Sequence, residues 1–331
     1  GRYLSDEVVA SLLSRPEGLQ LGGSQQTVTL LMSDLRGFSS LASQLQPHQV
    51  VRLLNNYLGA MADVITRFQG TIDEFIGDAI MALFGAPISR EDDAERAVAC
   101  AVAMQLAMGG VNEQNRRDGL PEVQMGVAVN TGEVIVGNIG SHRRTKYGVV
   151  GTHVNLTSRI EAFTLGGQVL ISEATLQAAG TAVQTAERLS LRAKGFDQPV
   201  IVHEVKGVEG RYRLAVPART RELAPLPRPL GVRFQVLRGP HDQGQPAEGQ
   251  VISAGPGAVE VKTEAPPAPH SEVRLRVLCS DGREAPWDLY GRVTTGGGPG
   301  GGFVISFTAP HPEMQRLLQQ ALAGPPATLP R

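Results

Sequence analysis

The stretch Gly70 to Pro87, GTIDEFIGDAIMALFGAP, limits what this chain can fold into more than any other. Two apolar runs, TIDEFI and AIMALFG, flank Gly77-Asp78. The pattern predicts strand, tight turn and strand, with a glycine and a carboxylate at the tip. A carboxylate at a rigid hairpin tip points outward and suits a hard cation; an ordinary turn aspartate is the alternative. Two other stretches share the theme. Thr27 to Asp34, TVTLLMSD, is an apolar strand ending in an acid, followed by Leu35-Arg36-Gly37-Phe38 and a helical pattern from Ser39. Open sheets place their chemistry at such a strand end, although a helix cap or a turn would use the acid equally well. Gly148 to Glu161, GVVGTHVNLTSRIE, starts a helix in which Asn155 and Arg159, four apart, share a face. A plain solvated face would show the same spacing.

In this order, S-D-L-R-G-F, F-I-G-D-A-I-M-A and V-N-L-T-S-R resemble the class III nucleotidyl cyclases, the adenylyl and guanylyl cyclase catalytic domain, over residues 24–207. The resemblance implies an α+β fold with a ferredoxin-like βαββαβ core. It implies a cyclisation in which the ribose 3′-hydroxyl of a nucleoside triphosphate attacks the α-phosphate and pyrophosphate leaves. Asp34 and Asp78 would hold two divalent cations per active site, with the Leu35 carbonyl as a further ligand. An all-oxygen set favours Mg²⁺ or Mn²⁺, and two such ions can stabilise both ends of an in-line displacement. Asn155 would orient the ribose and Arg159 would hold the α-phosphate. In the family these acids and the Asn/Arg pair meet across a subunit interface, so a chain carrying both implies a homodimer with two symmetric sites.

The same resemblance frames base selection. Adenylyl members carry a lysine four residues before the second metal-binding aspartate, where this chain has Glu74. Guanine offers N1–H and N2–H₂ donors that a carboxylate accepts, whereas adenine N1 is an acceptor that suits a lysine. The second selector falls after Tyr147 and is Gly148, which gives no bond to either base. Glu74 therefore favours GTP over ATP, and guanylyl cyclase is the expected activity. Adenylyl or mixed specificity is the alternative, and a weakly active nucleotide-binding signalling protein is the third possibility. The triphosphate clamp departs from the family pattern: Lys194 in AKGFD stands alone, Phe196 replaces a second lysine, and Gln168 stands where some members carry arginine.

The chain's 331 residues allow about two domains. The patterns divide it into an N-terminal helical linker segment at 1–23, the catalytic domain at 24–210, a Pro-rich linker at 211–229, a β-barrel with a closing helix at 230–323 and a tail at 324–331. In the amino-terminal segment, Leu4, Val8, Val9, Leu12 and Leu13 form one stripe that fits core packing or a dimer contact. Within the catalytic stretch, Val123–Asn130 reads as a strand, Thr131-Gly132 as a turn and Val134–Ile139 as another strand. Six short apolar runs after residue 230 predict a small antiparallel barrel, with Gly296 to Gly302 as a loose hairpin loop. The order of barrel, Gly-rich hairpin, FVISF and short helix resembles a PilZ domain. Its ligand motifs are eroded: Arg228 and Arg233 are spaced one residue too far, and of Val251, Ser253 and Pro256 only the serine matches. The resemblance thus implies a barrel that does not bind cyclic-di-GMP tightly.

A net charge of −1 predicts no nucleic-acid partner. The two cysteines, Cys100 and Cys279, read as buried small hydrophobes rather than a disulfide. No run of eighteen apolar residues occurs. A cytoplasmic protein is expected, and the start at Gly1 reads as a cut from a longer chain whose sensor or membrane part lies upstream.

Overall fold

The computed structural model describes residues 21–141, 144–191, 198–217, 223–237, 244–255, 257–269, 271–278, 284–285, 288–297, 300–309 and 312–323. The expectations for the amino-terminal helix, Lys194, Phe196, Pro256 and Cys279 lie outside them. The chain forms two compact units, Gly1–Leu35 with Leu45–Ala218, and Arg36–Gln44 with Arg219–Arg331. No helix among the described residues is long and apolar enough to cross a membrane.

In chain order the elements begin β1 (Gly22–Leu35), α1 (Phe38–Ala42), α2 (Pro47–Arg67), β2 (Thr71–Ile76), β3 (Ala79–Phe84), α3 (Asp93–Arg117) and β4 (Met125–Ser141). There follow β5 (Arg144–Val150), α4 (Thr152–Ala162), β6 (Val169–Ser172), α5 (Glu173–Ala179), β7 (Val183–Leu191), β8 (Val200–Val208) and β9 (Leu214–Ala215). The sheet runs β2-β3-β1-β4-β6-β8-β7, with β5 on β4 and β9 on β8. Strand β1 is buried on both faces from Val28 to Met32, which is why its sequence is a continuous apolar run rather than an alternation. On one face Val28, Leu30, Met32, Met81 and Leu83 pack with Val134 and Val136. Helix α2 starts at a proline, and its Gln46–Gln49 capping box satisfies an end N–H. It buries Leu53, Tyr57, Met61, Val64 and Ile65, one stripe at helical spacing. Cys100 is free and fully buried in α3.

Two sequence expectations fail here. Thr131-Gly132 is not a turn, because β4 runs unbroken through it. Gly132 is glycine for space: a Cβ there would stand 2.2 Å from His153 Nδ1. The prolines assigned to a linker, Pro225, Pro227 and Pro229, lie within strand β10 (Ala224–Leu237). The pairing of β10 with its neighbour is irregular between Pro225 and Leu230, where proline has no N–H to give the ladder.

The second unit closes a six-stranded antiparallel barrel in the order β10-β11-β12-β15-β14-β13. Its other strands are β11 (Ala247–Gly255), β12 (Ala258–Lys262), β13 (Glu272–Val277), β14 (Leu289–Gly297) and β15 (Phe303–Ala309). Helix α6 (Pro312–Ala323) buries Leu317 and Leu318 in the barrel core beside Val232, Phe234, Val261 and Ile305. The Gly-rich hairpin is tied down: Glu260, fully buried, accepts hydrogen bonds from the Gly300 and Gly302 N–H groups at 2.8 and 2.9 Å and from Ser253 Oγ at 2.8 Å.

Candidate active site

Asp34 is the next-to-last residue of β1, and the Ser33↔Ile80 pairing brings it to the tip of the β2–β3 hairpin. Gly77 has φ of 65°, a left-handed conformation that glycine adopts without strain, and Ile76 pairs with Ala79 across the two-residue turn. Asp78 therefore stands beside Asp34. The Leu35 N–H donates to Asp78 Oδ2 at 3.3 Å, and the two carboxyls hydrogen-bond to each other. Burial, and then the adjoining Asp34, push the Asp78 carboxyl up to about 7. Two acids this close hold a shared proton more readily than two negative charges. A hard divalent cation answers the same repulsion, and an oxygen donor set of two carboxylates with the neighbouring Leu35 carbonyl fits it. The pair stands as two carboxylates only: among the described residues no group of three or more His, Cys, Asp or Glu side chains that could hold a metal ion forms.

Behind the acids, Tyr57 of α2 is fully buried with its hydroxyl 3.1 Å from Ser33 Oγ. Burial pushes its phenol above the ordinary range, so the ring is a neutral prop under the strand end. In the sequence Tyr57 shows only as one member of the apolar stripe of α2. Its polar tip had no signal of its own.

Asn155 and Arg159 lie on α4, both exposed and one turn apart, while Thr157, Ile160 and Glu161 of the same helix are buried. The start of α4 is anchored. The Asn130 amide donates to the His153 carbonyl at 3.1 Å, and Thr157 Oγ1 donates to that carbonyl at 2.7 Å.

Glu74 is on β2 with its side chain 42% exposed, and Lys146 Nζ of β5 lies 3.0 Å from its Oε2. The same ammonium donates to Asp73 Oδ2 at 2.9 Å. Consecutive strand residues normally face opposite sides. Here the register passes from Ile72↔Ala82 to Glu74↔Met81, so Asp73 is the extra residue of a bulge and both acids reach one lysine. Gly148, buried on β5, is two residues from Lys146 and so on the same strand face. Asp73 and Lys146 went unnoticed in the sequence, because a regular strand would turn Asp73 away from Glu74. Gln168 is occupied structurally: its amide donates to Glu204 Oε2 at 3.0 Å and its Oε1 accepts from the Leu165 N–H at 2.9 Å.

With this geometry in view, similarity to known proteins is informative. Residues 22–207 match the family described as the adenylate and guanylate cyclase catalytic domain. The chain is 34% identical over 200 residues to an adenylate cyclase of Anabaena cylindrica, covering 57% of this chain and 39% of that one. It is 31% identical over 186 residues to adenylate cyclase 1 of Rhizobium meliloti (strain 1021), covering 56% and 28%. It thus spans well under half the length of these curated relatives. Among solved structures, the guanylyl cyclase Cya2 superposes with a TM-score of 0.58 at 55% identity, covering 59% of this chain and all of that one. The adenylyl cyclase CyaB from P. aeruginosa superposes with a TM-score of 0.55 at 34% identity, again covering 59% and 100%. The family match takes in more than half of the sequence, including the Asp34/Asp78 pair, Asn155, Arg159 and the Asp73, Glu74 and Lys146 cluster, and on that ground the chain belongs to the adenylate and guanylate cyclase catalytic domain family, with a nucleotidyl cyclase catalytic domain as its first unit.

Proposed function

We propose that this chain is a guanylyl cyclase that converts GTP to cyclic GMP and pyrophosphate. The carrying observation is Glu74: a half-exposed carboxylate, held by Lys146, at the position where an adenylyl enzyme would offer a lysine. Its two oxygens accept from guanine N1–H and N2–H₂, and they would face the lone pair of adenine N1 unfavourably. The 55% identity to a guanylyl cyclase supports this choice. The adenylate cyclase relatives, at 31% and 34%, favour ATP as the second substrate to test.

In the reaction the ribose O3′–Pα bond forms, the Pα–O bond to the β-phosphate breaks, and pyrophosphate leaves while the hydroxyl proton is released. Asn155 orients the ribose and Arg159 meets the α-phosphate as charge gathers there. Lys194 contacts the triphosphate. Two Mg²⁺ or Mn²⁺ ions held by Asp34, Asp78 and the Leu35 carbonyl would supply charge neutralisation for the triphosphate. A donor aimed at developing charge contributes about a hundred- to a thousandfold in rate, so Arg159→Ala is expected to lose at least that much. We further propose a homodimer. Exposed Phe75, Ile76, Ile135 and Val150 are the apolar residues that a second copy would cover. The barrel is read as PilZ-like but closed to cyclic-di-GMP, since Arg233 is spent on Glu284 at 2.6 Å and Glu248 at 2.7 Å.

The test is product formation from GTP and ATP, side by side in Mn²⁺ and in Mg²⁺, with Asp78→Ala and Glu74→Ala as controls. Cyclic GMP in excess, lost with Asp78→Ala and reduced against cyclic AMP with Glu74→Ala, is expected. Cyclic AMP in excess from the unaltered chain would overturn the base assignment.

A further inference from the structure

Asp73 is the least expected group on the base side. Its side chain is only 2% exposed, against 42% for its neighbour Glu74. Oδ2 takes the Lys146 ammonium, while Oδ1 is buried with no hydrogen-bond partner among the described residues. That bare oxygen lies 3.0 Å from where a Cβ at Gly148 would stand. The carboxylate therefore crowds the space that a side chain at position 148 would enter. A buried oxygen without a donor is costly, and burial accordingly raises the Asp73 carboxyl above its ordinary range. A solvated ion pair would leave both oxygens in water. This one is pulled in by the bulge at Asp73 and admitted by the missing side chain at Gly148.

We propose that Asp73 is a positioning residue for base selection, and that position 148 is glycine because Asp73 uses its space to hold the Lys146 ammonium beside the Glu74 carboxylate. The inference rests on the GTP reading above. Its chemistry is one of pattern. With Lys146 fixed next to Glu74, the site presents an acceptor and a donor side by side. Guanine presents N1–H and N2–H₂ donors next to the O6 acceptor and matches both. Adenine, with N1 as acceptor and N6–H₂ as donor, matches neither in the same placement. Without Asp73 the ammonium is free to close over Glu74, and the donor for O6 loses its fixed position. Asp73 need not touch the nucleotide.

The experiment is steady-state kinetics of the whole chain with GTP and with ATP, for the unaltered protein, Glu74→Ala, Asp73→Asn and Gly148→Ala. Asp73→Asn keeps the shape and removes the charge that holds Lys146. Its kcat/KM ratio for GTP over ATP is expected to fall about tenfold, as for loss of one placed polar contact. The loss should fall on the GTP KM more than on kcat. Gly148→Ala adds one methyl 3.0 Å from Oδ1, tighter than ordinary contact, so the carboxylate must shift, and the same ratio is expected to fall. Combining it with Asp73→Ala should lower the ratio no further than Asp73→Ala alone, because both act through one space. Equal losses for both nucleotides, or an unchanged ratio in Asp73→Asn, would overturn the proposal. If Asp73→Asn does not fold, Gly148→Ala decides in the same way. Where Glu74→Ala lowers the ratio and these variants do not, the role of Asp73 alone is wrong. A preference for ATP in the unaltered chain overturns the GTP reading and this inference with it.

Discussion

At the scale of the residue, the two acids set a conflict that the rest of the site is built around. Asp78 is raised to about 7 by burial and by Asp34, whereas an unfolded aspartate titrates near 3.9. A carboxyl whose pKa is raised on folding contributes stability while protonated, and that contribution is lost progressively as pH rises from the unfolded value to the folded one. With chelator present, the melting temperature of the catalytic unit is thus expected to fall from about pH 5 to about pH 7 and to level off above it, a fall that Asp78→Asn should largely remove. Added Mn²⁺ should restore the unaltered chain at pH 8 and do little for the variant. A melting temperature that is flat between about pH 5 and about pH 7 in chelator would sink this account of the pair. The motif around Asp34 and Asp78 was legible because each acid ends an apolar run at a forced turn. Their environment was not, since it forms only when distant elements pack, bringing the buried Tyr57 phenol of α2 within reach of both charges.

At the scale of the element, the readable features were those carried by local periodicity. The α2 stripe, the β2–β3 hairpin and the barrel strands all announce themselves by spacing. What failed depended on partners across the fold. The bulge that turns Asp73 toward Lys146 is a property of two strands, not of TIDEFI alone. Gly132 shows the same limit: next to Thr131 it has the local look of a turn, and its cause is a histidine 21 residues on (153 − 132). Gly132→Ala forces its methyl into the His153 ring, and the two hydrogen bonds on the His153 carbonyl leave that residue little room to retreat. Overpacking of this kind costs about 1–3 kcal/mol. Chemical denaturation should register it, and because α4 carries Asn155 and Arg159, kcat should fall as well. His153→Ala in the same chain should recover most of the stability. If it does not, the contact is not the reason for the glycine.

At the scale of the whole molecule, the chain joins a nucleotidyl cyclase domain to a barrel in which several charged side chains engage one another. Glu260 holds the glycine hairpin, and Arg233 and Arg276 are joined through Glu284. Such networks hold the barrel's shape. The proposed dimer makes a sharper claim on the catalytic unit. If each active site takes its acids from one copy and its Asn/Arg pair from the other, Asp78→Ala and Arg159→Ala damage opposite halves of a site. Each variant alone is expected to be inactive as a homodimer. Random exchange of subunits makes half of the dimers mixed, and each mixed dimer has one site free of either change. An equal mixture should therefore recover about a quarter of the unaltered activity, because the two sites of a symmetric dimer are built from complementary halves. Light scattering on the same samples reports the dimer independently. A mixture that exchanges subunits and stays inactive would place both residues in the site of a single copy, and Phe75, Ile76, Ile135 and Val150 would then need another reason to be exposed.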